Sequence, residues 1–247
     1  SAAAKTVKRV TMELGGKSAN IIFADADLKA AIKGAQGGIL FNKGEVCAAG
    51  SRLLVQAEVY DEVVAKLAEN FAKVAAAQGD PRDPNTRMGP QVSRAQQEIV
   101  LGYVAKGQAE GAILKAGGEA NSAACDGKGF FVKPTLFSEV EPGMTIADEE
   151  IFGPVLSVIR FTDEADAIAK ANASVYGLAG AVWSRDIGRA HRVAHALKCG
   201  TVWVNTYNLY DPGASFGGFK QSGFGRELGM HGLDAYSELK TVWVSLD

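Results

Sequence analysis

Between Val155 and Asn205 the chain switches repeatedly between two hydrophobic periods. Val155–Phe161 is an apolar, β-rich run of strand length. Asp163–Asn172 has a helical pattern with Thr162 as its cap. Leu178–Trp183 is again strand-like, Ile187–Leu197 helical, and Thr201–Asn205 strand-like. A strand–helix–strand–helix–strand order joins parallel neighbours, because each helix carries the chain back to the edge where the next strand begins. It predicts an α/β fold, a mostly parallel twisted sheet with helices on both faces. In sheets of this kind functional residues gather at the carboxyl ends of the strands, and that is where they are expected here.

The first part of the chain reads similarly. Thr6–Glu13 alternates like a short strand, Gly15-Gly16 breaks it, and Ser18–Phe23 is an apolar strand. Asp25 and Asp27 offer caps for a helix over Asp27–Phe41, and Arg52–Gln56 is a strand. Val59, Val63, Leu67, Phe71 and Val74 recur at helical spacing over Val59–Ala77, a stripe that belongs to a core rather than to a ligand. Ser93 caps a helix to about Gly107 with Ile99, Val100, Tyr103 and Val104 facing inward, and Leu114–Thr135 reads as strand, exposed loop, strand. Lys240–Ser245 is a β-rich run whose exposed edge calls for a partner.

At 247 residues the chain is long enough for a sizeable core, and 47% hydrophobic with 22% charged residues is ordinary for a globular protein. A net charge of -2 gives no electrostatic reason to expect nucleic acid or an anionic membrane as partner. No apolar run reaches membrane-spanning length, and Ser1–Val10 lacks a signal-peptide pattern. Three scattered cysteines, Cys47, Cys125 and Cys199, make neither a disulfide framework nor a zinc site, which points to a reducing, cytoplasmic setting.

The chemistry-bearing stretch is Leu40–Arg52. Cys47 lies there in a short glycine-bounded segment followed by small residues, so that backbone N–H groups can crowd its sulfur; such donors stabilise a thiolate and, later, an oxyanion. A helix C-terminus precedes it and does not favour a thiolate, so activation falls to backbone donors, a base or a cationic cofactor, with Lys43 a weaker candidate. Upstream, Glu13 stands beside the Gly15-Gly16 turn. A thiol and a carboxylate on separate loops can be nucleophile and base, yet a cysteine in a loop is by itself more often inert. Cys125, in a polar loop, is expected to be exposed and non-catalytic. His191 and His195 have metal-ligand spacing on one helix but no third ligand, which favours a surface pair.

Taken together, Glu13-Leu14-Gly15-Gly16-Lys17 and Gly44-Glu45-Val46-Cys47-Ala48-Ala49-Gly50-Ser51-Arg52 resemble the aldehyde dehydrogenase superfamily. So do Glu149-Glu150-Ile151-Phe152-Gly153-Pro154, Gly200–Asn205, Phe216–Gly223 and Gly225–Gly229, in the same order. The resemblance implies Cys47 as nucleophile and Glu13 as general base. It implies Glu150 and Phe152 at the cofactor ribose and nicotinamide, with Leu14 and Gly15 beside them, and Phe41 and Phe216 near the aldehyde. The implied reaction is oxidation of an aldehyde to a carboxylic acid with NAD or NADP through a thiohemiacetal and a thioester. Members of the family are longer, and the additional N-terminal part holds most of the dinucleotide-binding domain and an asparagine of the oxyanion hole. The implied division is a remnant of the cofactor domain at 1–13, a catalytic domain at 14–229, and a C-terminal segment at 230–247 that joins a homo-oligomer, dimer or tetramer. A cofactor-free thiol esterase and a non-catalytic oligomerisation module are the alternatives.

Overall fold

The computed structural model describes Ser1–Asp247 throughout. Its strands and helices, in chain order, are β1 Met12–Glu13, β2 Ala19–Ile22, α1 Leu28–Leu40, β3 Arg52–Gln56, α2 Tyr60–Ala76, α3 Arg94–Ala109, β4 Ile113–Ala116, β5 Thr135–Ser138, α4 Thr145–Asp148, β6 Val155–Phe161, α5 Glu164–Asn172, β7 Tyr176–Gly177, β8 Ala179–Trp183, α6 Ile187–Ala196, β9 Thr201–Val204, β10 Phe219–Lys220, β11 Gly223–Phe224 and α7 Gly229–Leu233. A seven-stranded sheet has the order β4-β5-β6-β3-β2-β8-β9, and all its neighbours are parallel except β4 and β5. Ala19 of β2 pairs with Arg52 of β3 on one side and Gly180 of β8 on the other, and Arg52 pairs in turn with Ser157 of β6.

Both faces are covered. α1 and α2 pack on one through Ala31, Ile32, Ala35, Ile39, Val63, Leu67 and Phe71, against Ile22, Leu53, Val55 and Val158. α3, α5 and α6 pack on the other through Val100, Val104, Ala167, Ala171, Ala190 and Val193, against Ile21, Leu54 and Ile159. Successive strand residues therefore serve opposite cores, which is why apolar residues occupy alternate and intervening positions of the central strands alike. A fully buried Leu or Phe of this kind contributes about 1.5–3 kcal/mol. Helix starts follow local chemistry: Asp27 Oδ1 accepts from Ala30 N at 3.1 Å, and Ser93 Oγ accepts from Gln96 N at 3.2 Å.

Several expectations change. The cap of α5 is Asp163, whose carboxylate accepts from Asp166 N at 2.9 Å, rather than Thr162. Ile99 is 49% exposed, because the inward face of α3 runs through Val100, Val104 and Gly107 and position 99 rotates off it. Of Thr6–Glu13 only Met12–Glu13 is paired, with β11, while Ala3–Thr6 is a 3-10 turn. Cys125 is half-buried rather than exposed. Lys240–Ser245 is exposed and unpaired within the chain, with Trp243 at 92%.

The two ends of the chain meet. Arg9 donates to the carbonyls of Ser237 and Asp234, both at 2.6 Å, and pairs with Glu238 at 3.0 Å. No helix is long and apolar enough to cross a membrane.

Candidate active site

The residues of interest lie at the amino edge of the sheet, not at the carboxyl ends where they were expected. The Glu13–Ser18 turn precedes β2, the Phe41–Ser51 loop precedes β3, and the Glu149–Pro154 segment precedes β6. β2, β3 and β6 are parallel and adjacent. Loops that enter adjacent parallel strands emerge side by side, about 5 Å apart, so the three segments form one surface.

Glycine makes their contact possible. A Cβ on Gly16 would overlap the carbonyl oxygen of Cys47, and one on Gly15 would overlap Oε2 of Glu150. Gly16 N donates to Glu150 Oε1 at 3.0 Å, which leaves Oε2 free to accept from another group. The Gly15-Gly16 turn thus touches both the thiol loop and the carboxylate loop, and any side chain there would separate them.

Local hydrogen bonds set the thiol loop. Asn42 Nδ2 donates to Glu45 O at 3.0 Å, Ala49 N to Val46 O at 3.0 Å, and Gly50 N back to Gly38 O of α1 at 3.0 Å. Tyr207 Oη donates to Ala48 O at 2.9 Å, fixing the residue after Cys47. Cys47 is half-buried. Burial and then the Glu13 carboxylate push its thiol above the ordinary value, while the N–H groups of Ala48 and Cys47 itself pull the other way. Lys43 does not serve Cys47: its Nζ pairs with Glu45 Oε2 at 3.1 Å.

Glu13 faces the C-terminal motifs. Its strand partner is Gly223, and Leu14 N donates to Ser222 O at 3.1 Å. Burial and then Glu227 raise its carboxyl above the usual range, opposed by the Gly218 N–H and Arg226. Ser222 is completely buried and ties this corner together, its Oγ donating to Gly15 O at 2.7 Å and accepting from Gly177 N at 3.0 Å. Neither Ser222 nor Glu227 carried a role from sequence. Both stood inside recognised motifs, but only the pairing of β1 with β11 brings them to the turn of Glu13.

Glu150 is half-buried, and burial raises its carboxyl against the opposing Gly16 N–H and Lys17. Beside it Phe152 is 40% exposed on left-handed backbone (φ 56°), and Leu14 is 43% exposed. An open acceptor oxygen flanked by two accessible apolar side chains suits a ribose diol joined to a flat ring, so these residues fit the nicotinamide end of a dinucleotide.

An aromatic cluster stands on the other side of Cys47. Trp203 and Tyr207 have ring centroids 4.7 Å apart, Trp203 and Tyr210 5.5 Å, and Tyr210 and Phe216 5.7 Å. Phe216 and Cys47 both pack against the small core that contains Ala48 and Trp203. Phe41, 65% exposed, instead lines an open groove of about 600 Å³ with Val46, Tyr207 and Tyr210. Tyr210 joins the two aromatic regions, a role no local pattern signalled. His191 and His195 stack at 6.2 Å, and no group of three His, Cys, Asp or Glu side chains is placed to hold a metal ion.

The model of the aldehyde dehydrogenase family matches residues 1–242. A betaine aldehyde dehydrogenase of Rhizobium etli is 51% identical over 246 residues, covering 100% of this chain and 50% of that protein. The NAD+ complex of an aldehyde dehydrogenase from Bacillus cereus superposes with a TM-score of 0.94 at 49% identity, covering 99% of this chain and 49% of that one. An indole-3-acetaldehyde dehydrogenase bound to NAD+ gives 0.93 at 47% identity, over 99% of this chain and 49% of the other. The chain spans about half the length of the curated relatives it matches.

Proposed function

The chain belongs to the aldehyde dehydrogenase family, and from that premise we propose that it is the catalytic portion of an enzyme oxidising an aldehyde to a carboxylic acid with NAD or NADP. The observation that carries this reading is the convergence of Cys47, the Gly15-Gly16 turn below Glu13, and Glu150 on one edge of the sheet. Residues 14–229 form the catalytic unit, with 1–13 and 230–247 as its flanking segments.

Cys47 Sγ, whose thiolate the N–H groups of Cys47 and Ala48 favour, adds to the aldehyde carbonyl, and the Cys47 N–H supplies one of the two donors to the developing oxyanion. The nicotinamide, when bound, supplies the hydride acceptor that turns the thiohemiacetal into a thioester. Glu150 would hold the ribose hydroxyls through its free oxygen, and Phe152 and Leu14 would exclude water beside the ring. Glu13, whose carboxyl is already shifted toward neutrality, takes a proton from the water that hydrolyses the thioester.

The test is reduced-nicotinamide formation from a panel of aldehydes with NAD and with NADP, measured on the native protein that contains this chain. Apolar aldehydes are the expected substrates, held by Phe216, Tyr210 and Phe41. Betaine aldehyde belongs in the panel, since relatives carry its name and the same ring faces attract a quaternary ammonium. Phe216→Ala is expected to raise KM for apolar aldehydes roughly tenfold, with a smaller effect for the more exposed Phe41. Unchanged preference in both variants overturns the pocket, and absence of cofactor reduction with every aldehyde overturns the activity.

Exposed Val242, Trp243 and Val244 on an unpaired segment support a homo-oligomer in which Lys240–Ser245 joins a neighbouring subunit's sheet. A monomeric mass by light scattering would overturn it.

A further inference from the structure

We propose that the small cavity enclosed by Lys17, Ser18, Arg52, Lys198, Cys199 and Lys220, behind the turn that carries Glu13, is a binding site for one monovalent anion of chloride size. Four of these residues are cations, and no aspartate or glutamate lines the cavity. Lys17 is 1% exposed, and its Nζ meets no acceptor in the chain. Arg52, 4% exposed, spends its guanidinium on the carbonyls of Lys17 at 2.8 Å, Lys170 at 3.0 Å and Ala171 at 2.8 Å. Lys220 Nζ donates to the carbonyls of Asn172 at 3.1 Å and Ser174 at 2.9 Å. These acceptors are neutral, and the carboxylates that act on the buried pair, Glu150, Asp148 and Glu149 on Lys17 and Asp148 on Arg52, do not line the cavity.

The cations also act on one another. Burial and then Arg52 push the Lys17 ammonium down to about 7, only partly opposed by Glu150. Burial, Lys198 and Arg52 depress Lys220. Burial pushes the Cys199 thiol up to about 11, so it stays protonated near neutrality and offers S–H rather than a counter-charge. Lys17 and Arg52 are buried while Lys198 and Lys220 stay exposed at the rim, and holding two buried cations together is costly unless an opposite charge joins them. The cavity gives about 20 Å³ to the centre of a water-sized sphere, room for one chloride or bromide but not for sulfate or phosphate. Lodged there, the anion would tie together Lys17 of the Glu13 turn, Arg52 at the start of β3 and Lys220 of β10. The proposal rests on this cavity alone and stands or falls separately from the aldehyde reading.

Crystals of the native protein soaked in sodium bromide test it directly. An anomalous peak in the cavity beside Lys17 Nζ and Arg52 is expected. So is a thermal midpoint at least about 2 °C higher in sodium bromide or chloride than in sodium gluconate at equal ionic strength. Lys17→Met should abolish both effects, and an undiminished peak in that variant overturns the assignment. Should Lys17→Met not fold, the wild-type map decides: no anomalous peak in the cavity, with density there that refines as water, overturns the proposal.

Discussion

Replacing Cys47 by serine lowers kcat/KM for aldehyde oxidation roughly 10⁴-fold or more. Serine keeps the shape of the side chain and the backbone donors around it, and Ala48 stays held by Tyr207. What changes is the nucleophile. An alcohol titrates far above a thiol, and the two backbone N–H donors cannot bring it near neutrality against burial and the Glu13 carboxylate, which already outweigh them for the thiol. The measurement is reduced-nicotinamide formation by the two proteins side by side, with cofactor affinity as a control for the fold. Activity within tenfold of wild type would remove Cys47 from the mechanism. A different result would favour the esterase alternative: Cys47-dependent cleavage of an activated ester while the native protein oxidises no aldehyde with either cofactor.

Glu13→Gln is expected to separate the two halves of the reaction. The first turnover still forms one reduced nicotinamide per site, but steady-state turnover falls by roughly 10²–10⁴, because the amide cannot take a proton from the hydrolytic water. The thioester then accumulates on Cys47 and is detectable by mass. The same substitution acts oppositely on the free thiol. The Glu13 carboxylate holds the Cys47 pKa up, so its removal lowers that pKa, raises the thiolate fraction at neutral pH and speeds alkylation by iodoacetamide. In both proteins the alkylation rate rises with pH until the thiol is ionised, and the curve of the variant lies at lower pH. Loss of the burst along with the steady state, or an unshifted alkylation profile, would show that Glu13 does not act in this way. Glu13 is exposed on a two-residue strand, so the variant has little to lose in packing.

The local rules in the sequence settle much of this molecule. Largely apolar runs at Val155–Phe161 and Ala179–Trp183 are strands covered on both faces, because nearly every successive residue meets one of two cores. Asp27 and Ser93 start helices because a short polar side chain can reach an N–H that the first turn leaves unpaired. Gly15-Gly16 marks a turn, and the motifs around Glu13, Cys47 and Glu150 name the family. The tertiary structure decided where these motifs meet. A motif's residue types do not reveal which sheet edge it will occupy. That depends on α1 returning the chain to the amino edge, where β3 starts beside β2, so that the loop of Cys47 opens beside the turn of Glu13. Nor does Gly-Gly-Lys indicate that Lys17 is buried among like charges, that Ser222 pins Gly15, that Tyr210 bridges two aromatic groups, or that Ile99 turns away from the core. Hydrophobic period and capping act over a few residues and are legible in one dimension. Burial, electrostatic company and the partner of a hydrogen bond come from segments far apart in the chain, 207 positions in the bond of Ser222 to Gly15, and exist only once parallel strands have set their register.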